Sequence, residues 1–225
     1  MEGHKKVLRP GLPRILEIAL AGAGLMVLSP LMFLVALAVG LSSPGPILFR
    51  QERLGLGGES FTLMKFRTMS VQSEGPEVTA RGDSRVTCMG KFLRKIKLDE
   101  LPELWNVLRG DMSFVGPRPE VPGFVDLNAP RWQEVLHVRP GITDPVTLRL
   151  RNEEELLAAA AGEPERFYLE VLQPYKLRGY VKYLERRSAR SDFHVIIATL
   201  LALVTQPRAE PPSLAEIQEQ RSKEC

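Results

Sequence analysis

Apolar residues run almost unbroken from Ile15 to Leu41 (ILEIALAGAGLMVLSPLMFLVALAVGL), relieved by Glu17, Ser29, Pro30 and glycines. As one helix these 27 residues reach about 40 Å, enough to cross a hydrocarbon core of roughly 30 Å with some tilt. Ser29-Pro30 sits at the centre, where proline removes a helical N–H and predicts a kink. Each half alone reaches about 18–22 Å, too short to cross. Lys5, Lys6, Arg9 and Arg14 precede the segment, and Arg50 and Arg53 follow it. Basic flanks favour the cytoplasmic face, and here both flanks ask for it. A re-entrant helix-break-helix that bends at Ser29-Pro30 satisfies both; a kinked single-pass span is the competing path. The Ser29 hydroxyl is placed to bond a carbonyl freed by Pro30. Glu17, near the entry, is expected to reach headgroup water, and the N-terminal bases to add ~1 kcal/mol each with anionic lipid.

Beyond this segment the pattern changes. Residues 47–69 read as two short strands around a turn at Gly55 to Gly58 and predict a short β-hairpin. Residues 70–87 are polar and loop-like. Helical spacing at Phe92, Leu93, Ile96 and again at Leu101, Leu104, Trp105 and Leu108 predicts two helices. Pro102 belongs in a first turn, so the division falls near Leu98 and Asp99. Phe124 to Val138 reads as a helix with a break near Pro130, and Arg139 to Thr143 as a turn. NEEELLAAA and the stretch ERFYLEVLQPYKLRGYVKYLERR read as amphipathic helices, the second broken at Pro174. The run Phe193 to Val204 is short for a span and suits packing or the membrane interface. The fold class is therefore α+β and mostly helical, with one re-entrant membrane helix-break-helix, a short β-hairpin and several amphipathic interfacial helices. Four regions follow: a basic segment 1–14, the re-entrant membrane helix 15–41, a cytosolic domain with interfacial helices 42–205 and a polar tail 206–225, expected to be loose at its end.

Composition narrows the chemistry. A net charge of +3, with no zinc spacing or RNA-binding aromatic motif, excludes a nucleic-acid reading. Cys88 and Cys225 make no disulfide framework, and a reducing compartment fits. His4, His137 and His194 form no ligand pattern.

The stretch KLDELPELWNVLRGDMSFVGPRPE, Lys97 to Glu120, places adjacent carboxylates Asp99 and Glu100 among cations. Taken alone, such a pair caps a helix and complements its dipole. Arg94, Lys95, Lys97, Arg109 and Arg118, with Lys65 and Arg67 from the hairpin, supply more anion-binding charge than capping requires. A phosphate site uses such cations, and Mg2+ takes one or two carboxylates plus phosphate oxygens. A hydrolase, a kinase and a phosphotransferase all remain open on chemistry alone.

KFRTM at 65–69, RVT at 85–87, LRKIKLDELPELWNVLRGDMSFVGPRPE at 93–120 and VRPGIT at 138–143 resemble, in order and spacing, the bacterial sugar-transferase family. These are monotopic polyprenyl-phosphate phosphoglycosyl transferases, and the resemblance covers roughly residues 10–205. It implies transfer of a sugar-1-phosphate from a UDP-sugar to an undecaprenyl-phosphate-type lipid, releasing UMP, at the cytoplasmic face of the bacterial inner membrane. It implies Asp99 as the nucleophile of an aspartyl-phosphosugar intermediate, Glu100 as the Mg2+ ligand and Arg94 as a phosphate contact. Pro117, Arg118 and Pro119 resemble the nucleotide-binding motif. Lys65 and Arg67 match the family's basic strand, as substrate contacts or as partners of the acids. Ser29-Pro30 resembles the break of the family's re-entrant helix.

Three departures stand out. Lys97 occupies a position usually Ser or Thr. DPVTLRLRNEE follows RPGIT in place of a Gly-Trp-containing continuation, so sugar recognition does not transfer. The match is to the minimal catalytic unit, without the multi-span domain of some relatives. The alternatives are a catalytically idle membrane-surface adaptor and a phosphohydrolase. Sugar identity, pathway and homo-oligomer formation stay open.

Overall fold

The structure is a computed structural model that describes residues 9–71, 75, 77–159, 163–205 and 211–222. Its longest element, helix α1 (Arg14–Ser42), is long and apolar enough to cross a membrane by length and composition. The helix runs through Pro30 without interruption. Proline lacks the N–H that would bond the Met26 carbonyl, and Ser29 Oγ donates to that carbonyl at 2.8 Å instead. The sequence-expected break is thus a repaired position within continuous helix.

Four residues of α1 are buried: Glu17, Ala21, Val35 and Val39. Ile15, Met26, Val27, Phe33 and Leu41 remain exposed, an apolar surface no other described element covers. The buried positions lie toward the two ends of the helix, none between residues 22 and 34, so each half packs on the rest of the protein near its outer end. Ala21 meets Leu63, Val107 and Met112, while Val35 and Val39 meet Phe66 and Leu93.

The hairpin forms as read. Strand β1 (Leu48–Leu54) pairs antiparallel with β2 (Ser60–Phe66), from Leu48 opposite Phe66 to Leu54 opposite Ser60. Gly57 and Gly58, at φ +70° and +80°, make the turn in a region that side chains avoid.

Helix α2 (Cys88–Lys95) starts on Thr87, whose side chain accepts from the Gly90 N–H at 2.9 Å. A 3-10 turn, Leu98–Glu100, separates it from α3 (Glu103–Arg109). Pro102 occupies the cap position of α3, just ahead of the first turn in which the sequence placed it, because residues 98–100 form the 3-10 turn and the helix starts at Glu103 rather than near Asp99. Strand β3 (Ser113–Val115) follows.

Three local expectations are corrected downstream. Helix α4 (Pro130–Leu136) begins only at Pro130. Ahead of it, Asp126 Oδ1 accepts from the Asn128 N–H at 2.9 Å, a turn that competes with helix. Residues 141–143 are not a turn but strand β4 (Gly141–Thr143), parallel to β3 with Ser113 opposite Gly141. A Cβ on Gly141 would meet Gly116 N at 2.1 Å, so glycine alone allows this approach. Helices α5 (Pro145–Arg149), α6 (Glu153–Ala158) and α7 (Pro164–Phe167) lead into a π turn, Tyr168–Leu172, and then α8 (Gln173–Arg186). Pro174 therefore sits in the first turn after a π segment, where its missing N–H is tolerated, and does not break the chain.

Helix α9 (Ala189–Val204) opens with a Ser188–Ser191 capping box and leaves Phe193, Leu200 and Leu201 exposed. The tail is more ordered than its polarity suggests. Helix α10 (Leu214–Ser222) inserts a fully buried Ile217 among Leu156, Tyr168, Leu172 and Tyr175. Residues 206–210 and 223–225 lie outside the described residues.

Candidate active site

Lys97 adopts a left-handed backbone, φ 57°, and turns the chain out of α2 into the 3-10 turn that carries both acids. This answers the capping question raised by the sequence. No side-chain cap closes α3, and Asp99 lies in the turn ahead of it. The Asp99 side chain is 6% exposed and its Oδ1 has no hydrogen-bond partner. Burial, then the neighbouring Glu100 charge, raise its carboxyl above the usual range, opposed by Lys65, Lys97 and Arg94. A buried carboxylate with a bare oxygen is costly to keep and is a common mark of a working group.

Glu100 has the opposite environment. Its Oε1 accepts from Lys65 Nζ at 2.9 Å and from Arg118 Nη2 at 2.8 Å, with Lys97 Nζ 3.9 Å away. Burial works against ionisation, but Lys65, Lys97 and Arg118 together outweigh it and hold this carboxyl well below its usual range. Glu100 in turn raises Arg118 further above the ordinary guanidinium value. Two adjacent carboxyls are thus pushed apart, one toward the neutral form and one locked as the anion.

Lys65 also reaches Glu103 at 3.1 Å. Burial pushes the Glu103 carboxyl up to about 7, with Lys65 opposing and Glu100 reinforcing the rise. The sequence pointed to Glu103 only as a helix-dipole residue. Its signal was the three-residue spacing from Glu100, which lets one lysine serve both acids.

Arg94 reaches the same region from the last turn of α2. Its Nε donates to Thr68 Oγ1 at 2.9 Å and its Nη1 lies 3.4 Å from Glu154 Oε1. Thr68 and Glu154 carried no sequence signal, because their role depends on α6 and the end of the hairpin meeting α2. The Pro117-Arg118-Pro119 loop follows β3. The Gly141 N–H donates to the Pro117 carbonyl at 3.0 Å, and Arg53 Nη1 donates to the Pro119 carbonyl at 3.2 Å. With φ fixed at both prolines, the loop presents Arg118 to Glu100.

Arg67 is placed elsewhere. Its buried guanidinium caps the end of α1, donating to Ser43 O at 2.6 Å, Pro44 O at 2.9 Å, Ser43 Oγ at 3.0 Å and Val39 O at 3.4 Å. A cation on terminal carbonyls suits a helix that has no base in its own last turn. At the other end of α1, Glu17 is buried and not in headgroup water. It accepts from Ser113 Oγ, from the Phe114 N–H at 3.2 Å and from Arg14 Nη1 at 3.1 Å.

Among the described residues no group of three His, Cys, Asp or Glu side chains is placed to hold a metal. Mg2+ needs no such cage when a substrate supplies phosphate oxygens, and Glu100, held as the anion, fits the need for a single carboxylate ligand.

A family model described as bacterial sugar transferase matches residues 9–206. The chain belongs to this family. Among its relatives in the bacterial sugar transferases is the UDP-glucose:undecaprenyl-phosphate glucose-1-phosphate transferase of Caulobacter vibrioides. It is 38% identical over 218 residues, covering 90% of this chain and 77% of the relative. The exopolysaccharide production protein PSS of Rhizobium leguminosarum bv. phaseoli is 37% identical over 205 residues, covering 87% of this chain and 96% of the relative. The UDP-N-acetylgalactosamine-undecaprenyl-phosphate N-acetylgalactosaminephosphotransferase of Aeromonas hydrophila is 44% identical over 135 residues, or 58% of this chain. That relative is much longer, and the chain spans 32% of it. Two of these names state a sugar, glucose in the Caulobacter protein and N-acetylgalactosamine in the Aeromonas protein.

Proposed function

We propose that this bacterial sugar transferase moves a sugar-1-phosphate from a UDP-sugar to a polyprenyl phosphate through a covalent intermediate on Asp99. The observation that carries the reading is the buried Asp99 carboxylate with an unpartnered oxygen, set beside an ionised Glu100 and the cations Lys65, Lys97, Arg94 and Arg118.

In the first step an Asp99 oxygen attacks the phosphorus that bears the sugar, and the bond from that phosphorus to the UMP oxygen breaks. In the second, a phosphate oxygen of the lipid attacks the same phosphorus and Asp99 leaves. Each step is a single displacement, and the carboxylate returns unchanged. Arg94 and Arg118 screen the diphosphate charge that would repel an approaching carboxylate. Glu100 and the phosphate oxygens would hold Mg2+, which when bound neutralises further charge. Lys65, bonded to Glu100 and Glu103, acts as a fixed partner of the acids in this reading.

A donor panel tests the reading. UDP-glucose and UDP-N-acetylated hexoses, with undecaprenyl phosphate and Mg2+, are expected to yield UMP and a lipid-linked sugar for at least one donor. Hydrolysis without lipid would favour a phosphohydrolase. Silence across the panel would favour an adaptor.

The membrane path follows from the ends of α1. Glu17 is tied to β3 and Val39 to Arg67 beside β2, so polar contacts near both ends hold the helix to the cytosolic domain. We infer that α1 enters and leaves by the cytoplasmic face, with its exposed apolar side in the inner leaflet. Single cysteines at Arg9 and Glu59, in a Cys88→Ser, Cys225→Ser background, are expected to react with a membrane-impermeant maleimide only from the cytoplasmic side. Labelling from opposite sides would restore the single-pass path.

A further inference from the structure

Behind the Pro-Arg-Pro loop lies a chain of charged groups that the transfer steps do not use. Glu120, directly after the loop, takes Arg53 Nη1 on its Oε1 at 3.4 Å and the Tyr168 hydroxyl on its Oε2. The Tyr168 oxygen accepts from Lys176 Nζ at 3.2 Å, and Lys176 also pairs with Glu153 Oε1 at 3.1 Å and Oε2 at 3.4 Å. Arg53, which holds Glu120, donates to the Pro119 carbonyl as well. Gln51 Oε1 fixes the remaining face of that guanidinium, 2.6 Å from Nη2 and 3.1 Å from Nε. The chain therefore runs from Glu153 on α6 to Lys176, Tyr168, Glu120 and Arg53, and ends one residue from Arg118.

Its position makes a purely stabilising role a poor explanation. Lys176 is 5% and Tyr168 4% exposed, next to an apolar cluster that includes Leu172, Val171 and Trp132. Apolar side chains of the same volume would fill this space without desolvating charges, and buried ion pairs rarely outperform them in stability. What such a network does supply is direction, since Arg53 and Lys176 are each held between acceptors on two different residues, Pro119 and Glu120 for one and Tyr168 and Glu153 for the other. Burial and Glu120 raise the Tyr168 phenol well above its usual value, so it stays an O–H donor. Burial disfavours the Lys176 charge, but Glu153, Tyr180 and Glu120 together outweigh it.

We propose that Tyr168 and Lys176 are positioning residues, which through Glu120 and Arg53 fix the Pro119 carbonyl and so aim Arg118 at the diphosphate of the donor. The proposal rests on the donor-transfer reading for its substrate, and on the contacts alone for its geometry.

Tyr168→Phe removes the hydroxyl and keeps the ring. In the full-length protein in nanodiscs, with the UDP-sugar that the wild type uses, KM for the donor is expected to rise ~10-fold while kcat stays within about 2-fold. Combined with Arg118→Lys it is expected to add little, because a misaimed arginine and a replaced one lose the same contact. Amide exchange of residues 116–120, read without donor, is expected to speed up in Tyr168→Phe. Unchanged KM, full additivity with Arg118→Lys, or unchanged exchange would each overturn the proposal. Should Tyr168→Phe fold poorly, Glu153→Gln releases Lys176 from the far end and is read in the same way. A wild type that accepts no UDP-sugar would sink the transfer reading, while the exchange measurement would still decide the relay.

Discussion

Asp99→Asn is expected to abolish transfer, lowering UMP release by at least ~1,000-fold, and to leave the protein folded. Asparagine is nearly the same size but offers no anionic oxygen to phosphorus. The buried environment already disfavours the charge of Asp99, through desolvation first and Glu100 second. Removing that charge relieves a cost, so the midpoint of thermal unfolding is expected to hold or rise slightly. Activity and stability moving in opposite directions is the pattern of a group kept for chemistry and not for folding. Two measurements check it: UMP release with the donor that the wild type accepts, and intact-protein mass spectrometry after donor is added without lipid. The wild type is expected to gain the mass of a sugar phosphate on the Asp99 peptide, and Asp99→Asn none. An adduct on another residue, or product formation by Asp99→Asn, would remove Asp99 from the role.

The elements that the sequence announced are those whose signals are local. The hairpin followed from two short strands around the turn at Gly55 to Gly58, and the split between α2 and α3 from Pro102. Ser29 repairing Met26 followed from the arithmetic of a proline four residues on. Failures came where the deciding partner is distant in the chain. The RPGIT run looks like a turn because proline and glycine usually make one, yet Gly141 is there so that two strand backbones can touch. Helix α10 went unread because one buried isoleucine in a polar stretch carries no periodic signal, and Ile217 needs the cleft around Tyr168 and Leu172 to be buried at all. The site divides the same way. Asp99, Glu100 and Arg118 sit in one contiguous motif, and Glu100 and Arg118 meet at 2.8 Å. Lys65 meets the acids as well, but only because β2 runs beside the 3-10 turn. Glu103 read only as a helix-dipole residue, Arg53 only as a flanking base, and Thr68 and Glu154 had no assigned role, because each is ordinary until its partner arrives.

Arg67 carries the sharpest consequence of that distinction, since a basic strand offers Lys65 and Arg67 as equals and the fold does not. Two residues apart, they lie on the same face of the extended chain, yet β2 ends at Phe66 and the chain then turns toward α1. Lys65 goes to the acids, and Arg67 goes to four acceptors at the close of the membrane helix. Arg67→Ala is expected to cost ~1–3 kcal/mol, because it takes the donors from the Ser43 and Pro44 carbonyls and leaves Val39 O to Ser42 Oγ alone. That is a sizeable share of the 5–15 kcal/mol typical of a domain. The expected result is a fall in the yield of folded protein and in the unfolding midpoint, followed by intrinsic fluorescence of Trp105 and Trp132 in detergent. Arg67→Lys, which keeps the charge but has fewer donors in a less suitable shape, is expected to fall between. Arg118→Ala should do the reverse, losing UMP release with a much smaller change in midpoint, because Arg118 is partly exposed and Lys65 still serves Glu100. If Arg67→Ala instead kept its midpoint and lost donor binding, its guanidinium would belong to the substrate, and the helix end would need another cap.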